Sequence, residues 1–184
     1  MTVDITELFE AGAHFGHKTS RWHPKMAPYI HSVKGDQHII NLDKTVESLS
    51  SALAMLEDTA SRGKQVLFVG TKRQASKSVV EAATESGQPY VSVRWMGGML
   101  TNNKTINNRI KHLKKLEERM ASGDLKARYN KLEVQRFQEE IDDLNHNFGG
   151  IKNMNGLPGA VIVTDLLNES IAVKEAQRLG IPIV

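Results

Sequence analysis

The run Gln65-Val66-Leu67-Phe68-Val69 is followed at once by Gly70-Thr71-Lys72-Arg73, then by Ala75, Val79, Val80 and Ala83 at helical spacing, then by a second apolar run from Tyr90 to Val93. A short, uninterrupted, β-branched run suits a strand buried on both faces, the signature of a parallel sheet. Strand, helix and strand in that order require a right-handed crossover, so the chain is constrained to an α/β fold with an open parallel sheet and flanking helices. Later segments extend the pattern. Leu157-Pro158-Gly159 leads into Ala160-Val161-Ile162-Val163, a return to the sheet; Asn168 caps a helix with Ile171, Ala172, Ala176 and Leu179; and Gly180-Ile181-Pro182-Ile183-Val184 begins another strand. A sheet ending on its newest strand lacks that strand's usual covering helix, so the chain is expected to be truncated.

Ahead of the sheet, Asp4 caps a short helix with Glu7 at its third position, Ile5, Leu8 and Phe9 on one face and Gly12 as its stop. From Ala13 to Gln37, histidines alternate with Lys18, Arg21, Lys25 and Lys34, which reads as loop and extended strand. Asn41 or Asp43 opens a helix carrying Val46, Leu49, Leu53 and Leu56, ending near Arg62-Gly63. Between Asn102 and Gly149 the periodicity is helical throughout. Ile106, Ile110, Leu113 and Leu116 or Met120 form one stripe, Ser122-Gly123-Asp124 breaks it, and Val134, Phe137, Ile141, Leu144 and Phe148 form a second stripe at coiled-coil spacing. Two such helices predict an antiparallel coiled-coil hairpin inserted into the sheet domain. The expected organisation is residues 1–102 as the first part of the α/β domain, 103–148 as the hairpin, and 149–184 as the incomplete second part.

Charge and composition narrow the function. Lys and Arg number 24 against 21 acidic residues, a net charge of +3, so overall charge is weak evidence for nucleic acid and the clustering of cations matters more. With 40% hydrophobic residues and no apolar run of about 20, the chain is not expected to enter a membrane. Its first residues carry Asp4, Glu7 and Glu10 and no base, unlike a secretory or transit peptide, which predicts a cytoplasmic protein. Zero cysteines exclude disulfides, thiolate metal sites and cysteine nucleophiles.

Four groups of residues are candidates for function. Gly70-Thr71-Lys72-Arg73 stands at the carboxyl end of a strand and the start of a helix, where open α/β sheets bind ligands. It has neither Walker nor Gly-x-Gly-x-x-Gly spacing, so a mononucleotide site, an RNA phosphate contact and an ordinary turn all remain open. His14 and His17, three apart, could share a zinc ion if the backbone is helical or turned and a third ligand comes from elsewhere; no third ligand is identifiable, and no cofactor is required. Arg94-Trp95-Met96-Gly97-Gly98 joins a guanidinium to two glycines that permit close approach; Trp95 reads as structural, whereas Arg94, Asn102 and Lys104 are backbone-contact candidates. The first long helix is basic, with Lys104, Arg109, Lys111, Lys114, Lys115 and Arg119, whereas the second ends in Glu139, Glu140, Asp142 and Asp143. That asymmetry fits either a solvated surface or one face on RNA. Asp165 is the best lone candidate for a catalytic acid, has no evident partner, and reads more simply as a turn residue. No constellation demands catalysis, so the chain is not expected to be an enzyme.

Ala13-His14-Phe15-Gly16-His17, Trp22-His23-Pro24-Lys25-Met26, Ile39-Ile40-Asn41-Leu42, Leu67-Phe68-Val69-Gly70-Thr71-Lys72, Arg94 through Asn102 and Gly149-Gly150-Ile151 occur in one order. Together, from Phe9 to Val184, they closely resemble the bacterial small-subunit ribosomal protein two, or S-two, family. The resemblance implies a flavodoxin-like sheet with the hairpin as a projecting arm. It also implies a cytoplasmic place in the small ribosomal subunit, binding to small-subunit rRNA and neighbouring proteins, and help in docking the S-one messenger-binding protein. Carried over by position, Lys18, Arg21, Lys25, Lys72, Arg73 and Arg94 become RNA-facing residues, joined by Asn102, Lys104, Arg109 and Lys111. Members of the family continue past Ile-Pro-Ile-Val into an acidic loop and further sheet and helix, and a metal site sharing His14 or His17 with that loop would be incomplete here. The rival reading is a Rossmann-like enzyme holding a phosphorylated small molecule at the Gly70 loop.

Overall fold

The computed structural model describes residues 4–184. It comprises two compact units, one reaching to Glu57 and the other running from Asp58 to Val184.

The first unit opens with α1 (Ile5–Glu10), whose N-cap Asp4 accepts a hydrogen bond from the Thr6 amide at 2.9 Å. Gly12, at φ +73°, follows the helix. The histidine-rich stretch is more ordered than loop and strand would suggest. β1 (Phe15–Lys18), β2 (Ile30–Lys34) and β3 (Gln37–Ile40) form an antiparallel sheet in the order β1-β3-β2. Gly35, at φ +60°, turns β2 into β3. Gly16 favours close pairing, because a Cβ there would lie a tight 3.0 Å from the His38 carbonyl oxygen. Asn41 then accepts from the Asp43 amide and opens α2 (Leu42–Ser61), within which the division between the units falls.

The second unit holds the parallel sheet and flanking helices of an α/β fold. β4 (Val66–Val69) lies between β5 (Tyr90–Val91) and β6 (Ala160–Val163), parallel to both, and α3 (Arg73–Glu85) makes the crossover from β4 to β5. Residues alternate across a strand, so Leu67 and Val69 share one face. They enter a core with Val91, Trp95, Leu100, Ile106, Ile110, Phe148, Ile151, Val161, Ala172 and Ala176. β5 ends two residues earlier than its apolar run, because the chain leaves the sheet to deliver Trp95 into that core. At the other edge, the segment ending at Val184 pairs parallel to β6 through a bridge of Ile183 with Val161 and backbone hydrogen bonds from Val161 to Pro182, from Val163 to Val184 and from Val184 to Val161.

After β5 come α4 (Asn103–Ala121), a short α5 (Asp124–Arg128) not evident in the sequence, α6 (Lys131–Phe148) and, beyond β6, α7 (Ser170–Arg178). α6 begins with a capping box in which Asn130 accepts from the Glu133 amide and Glu133 accepts from the Asn130 amide. α7 is capped by position at Glu169 and not by Asn168, whose side chain donates instead to Thr71 and Glu169. α4 and α6 share a second core of Leu113, Leu116 and Ile141, with Met120, Phe137 and Leu144 packed against it. Glu117 of α4 accepts from Asn145 at 2.9 Å and pairs with Lys152; the Lys152 hydrogen bond, then that of Asn145, hold its carboxyl below the usual range. Gly150 is required where the chain returns to the sheet, since a Cβ there would collide with the Tyr90 carbonyl oxygen.

Leu113 is fully buried in the second core. Leu113→Ala should cost about 3 kcal/mol through lost burial and the cavity left behind. Urea denaturation should show a lower midpoint with the slope unchanged.

Candidate nucleic-acid interface

In an open sheet of this order, ligands bind outside the carboxyl ends of the strands where strand order reverses, here between the loops after β4 and β6. That crevice is filled by the chain's own side chains. Glu169, only 2% exposed, accepts from the Thr71 amide at 2.7 Å and the Thr71 hydroxyl at 2.6 Å. Asn168 donates to the Thr71 hydroxyl at 2.9 Å, and Lys72 pairs with Asp165 at 3.0 Å. A carboxylate therefore occupies the amide that a bound phosphate would use. Gly70 is required by the same packing, because a Cβ would sit 2.7 Å from Val79 and 2.8 Å from the Thr164 hydroxyl.

Asp165 thus has partners that its sequence context did not disclose. Its carboxylate accepts from the Leu167 and Asn168 amides, an Asx turn. The Asn168 amide bond, then the Lys72 side chain, keep its carboxyl below the usual range.

The neighbouring loop, Arg94 to Asn102, is organised around a buried carboxylate that the sequence reading overlooked. One oxygen of Glu175 accepts from the Trp95 indole at 3.1 Å and the Gly98 amide at 2.7 Å. Its other oxygen accepts from the Leu100 amide, the Thr101 amide and the Thr101 hydroxyl, each at 3.0 Å. Gly98 takes φ +89°, which glycine alone adopts readily, and turns its amide to the carboxylate. Burial pushes the Glu175 carboxyl up, but the amides of Thr101, Gly98 and Leu100 and the indole together outweigh it, so its pKa lies below the usual range. One signal for this residue was in the sequence: Glu175 lies three residues from Ala172 and four from Ile171, on the stripe read as apolar.

The cations expected to face RNA are exposed and fall into three places. Lys18, Arg21 and Lys25 lie in the first unit, on β1, the turn after it and the 3-10 segment Pro24–Tyr29. Lys72, the N-cap of α3, Arg73, its first residue, and Arg94 lie just beyond the carboxyl ends of β4 and β5, followed by Asn102, which accepts from Thr105 at 2.9 Å as α4 begins. Lys104 and Lys111, seven residues apart, continue along one stripe of α4 with Lys115. Arg109 departs from that stripe. It lines a cavity of about 720 Å³ between α4 and α6 with Arg136, Glu139, Glu140 and Asp143.

His14 and His17 are not joined by a third ligand. Among the described residues, no group of three or more His, Cys, Asp or Glu is arranged to hold a metal ion. The backbone from Phe15 to Lys18 is extended, not helical or turned, and His14 stacks on Phe9 at 4.3 Å and packs against Phe15 at 4.1 Å. Among the described residues, His14 and His17 thus do not by themselves make up a zinc centre.

The architecture defines an α/β protein that displays cations along its loop edge and fills its sheet crevice with its own carboxylates. Comparison with known proteins specifies the family. The model of the family described as ribosomal protein S2 matches residues 8–184. A small ribosomal subunit protein uS2 from Chloroflexus aggregans is 50% identical over 182 residues, 99% of this chain and 76% of that protein. Proteins of the same name from Xanthobacter autotrophicus and Brucella ovis are 53% and 49% identical, over 97% and 98% of this chain. The chain spans 54% of the Xanthobacter protein and 70% of the Brucella protein. The chain belongs to the ribosomal protein S2 family.

Glu175→Gln should cost about 2–3 kcal/mol, because the amide cannot accept from all five donors and leaves buried N–H groups unpaired. Glu175 titrates lower when folded than when unfolded, so its contribution is complete above the ordinary carboxylate pKa of about 4.3 and is lost as pH falls through the lowered folded value. Thermal melts from pH 7 to pH 3 should show a smaller acid-dependent loss of stability in the variant.

Proposed function

We propose that this chain is a structural, RNA-bound constituent of the bacterial small ribosomal subunit in the cytoplasm, without catalytic activity. One observation carries the reading: the sheet's carboxyl edge presents Arg73 and Arg94 outward, with Lys72 partly exposed on Asp165, while the Thr71 amide in the crevice is satisfied by Glu169. The edge is suited to long phosphate backbones, and the Thr71 amide in its crevice is already bonded to Glu169 and not free for a small phosphorylated ligand. Family membership and the names of the relatives support the same reading.

In this proposal Lys18, Arg21, Lys25, Lys72, Arg73, Arg94, Asn102, Lys104, Arg109 and Lys111 meet small-subunit rRNA, largely at phosphates, which position a protein without reading sequence. Residues 103–148 form an antiparallel coiled-coil arm on a flavodoxin-like domain made by 1–102 and 149–184. The arm's basic stripe faces RNA, and its acidic side faces protein neighbours, the S-one messenger-binding protein among the partners. Lys72 exchanges Asp165 for phosphate on binding; the pair is partly exposed, so little energy opposes the exchange.

Co-sedimentation with small subunits lacking their own copy of this protein should give saturable, stoichiometric, salt-sensitive binding; no binding by this chain or by a longer family member would overturn the assignment. Lys72→Gln with Arg73→Gln should flatten the dependence of log affinity on log salt by about 1.5, as two phosphate contacts are lost. Nucleotides and sugar phosphates should leave the melting temperature unchanged. An enzyme binding one of them at 100 times its Kd would instead gain about 2.7 kcal/mol.

A further inference from the structure

α7 is tied to both cationic loops at once. At its N-terminal boundary Glu169 takes the Thr71 amide and hydroxyl of the first loop. Six residues on, Glu175 takes five donors from Trp95, Gly98, Leu100 and Thr101 of the second. Between them Ala172, with Ala176 just beyond, packs into the core beneath the sheet beside Leu67 and Val69, so the helix has little freedom to slide. The two loops leave the adjacent strands β4 and β5, and their exposed cations flank the tethered atoms: Lys72 follows Thr71, Arg94 precedes Trp95, and Lys104 lies three residues beyond Thr101.

We propose that α7 is a clamp that pre-sets the spacing of the two cationic loops for RNA, with Glu175 the positioning residue for Arg94 and for the start of α4. The proposal rests on the RNA reading above. Glu175 is buried and touches no RNA; it acts through the loop. With Gly97 and Gly98 inside it, an untethered loop would sample many conformations, and binding would then have to order it. Tethering removes that cost beforehand, so the clamp contributes affinity without adding a phosphate contact.

The sign of the effect separates positioning from charge. Removing a carboxylate close to an RNA-facing edge should, by electrostatics alone, strengthen binding to a polyanion. The clamp predicts the reverse. Titration of the full chain with deproteinised bacterial small-subunit rRNA over a salt series, well below the melting temperature, measures both affinity and salt slope. Glu175→Gln is expected to weaken binding on the order of tenfold, the cost of ordering a few freed side chains, with the slope retained. Hydrogen exchange should show Gly98, Leu100 and Thr101 amides unprotected in the free variant and protected again with RNA. Arg94→Gln should lower the slope by about 0.7–0.9, one contact.

A folded Glu175→Gln chain that binds as tightly as the parent, or more tightly, while Arg94→Gln still weakens binding, overturns the clamp and leaves the RNA reading intact. Parental affinity and slope in Arg94→Gln remove this loop from the RNA interface and the clamp with it. If Glu175→Gln does not fold, Trp95→Phe with Thr101→Val withdraws two of the donors and keeps the charge; it should weaken binding about threefold, and unchanged affinity again overturns the clamp.

Discussion

A carboxylate buried beside an apolar core is tolerable only when its lone pairs are fully used, and Glu175 meets that requirement with donors from a single loop. Much of the second unit depends on it. The indole it accepts from lies in the core, so Trp95 is oriented as well as buried. The amides it accepts from set the path from β5 to α4, and hence where Asn102 and the stripe of Lys104 and Lys111 begin. An apolar residue of similar size at position 175 would leave three backbone amides without acceptors in a place water reaches poorly.

The same logic explains how a sheet suited to small-ligand binding serves another purpose. Strand order β5-β4-β6 creates a crevice at the carboxyl ends, and in many α/β proteins an anion enters it. Here the anion is internal. Glu169 and Asp165 satisfy Thr71 and Lys72, so the loop is held shut on itself while Arg73 and Arg94 remain outside. Fold alone would not distinguish the two uses; the side chains in the crevice do.

Charge is distributed between α4 and α6 in a way net charge conceals. Some of it is spent on internal contacts, as Glu117 with Lys152 and Asn145, His112 with Glu140, and Arg119 with Asp124. The lysines of the outward stripe of α4 are left over. Arg109, the same kind of residue by composition, lies off that stripe by its helical phase and is one of the residues lining an open cavity together with Glu139, Glu140 and Asp143.

Periodicity and β-branched runs were enough to locate α2, β4, α3, β6 and the two long helices, because those patterns follow from local geometry and from which face must be buried. Ordered motifs were enough to point to the family. What the residues alone did not disclose depends on contacts between distant parts of the chain. The antiparallel pairing of β1, β2 and β3 joins segments separated by a 3-10 turn and histidines that carry no clear alternation. Glu169 and Glu175 drew no reading from the sequence because their partners lie 98 and as many as 80 residues away. Asp165 looked solitary for the same reason, with Lys72 93 residues distant. The sequence by itself determined the long helices, the parallel strands and the family they compose; only the tertiary structure decided which charges are spent inside and which face outward, since a charge's role is set by the groups that folding brings within hydrogen-bonding distance.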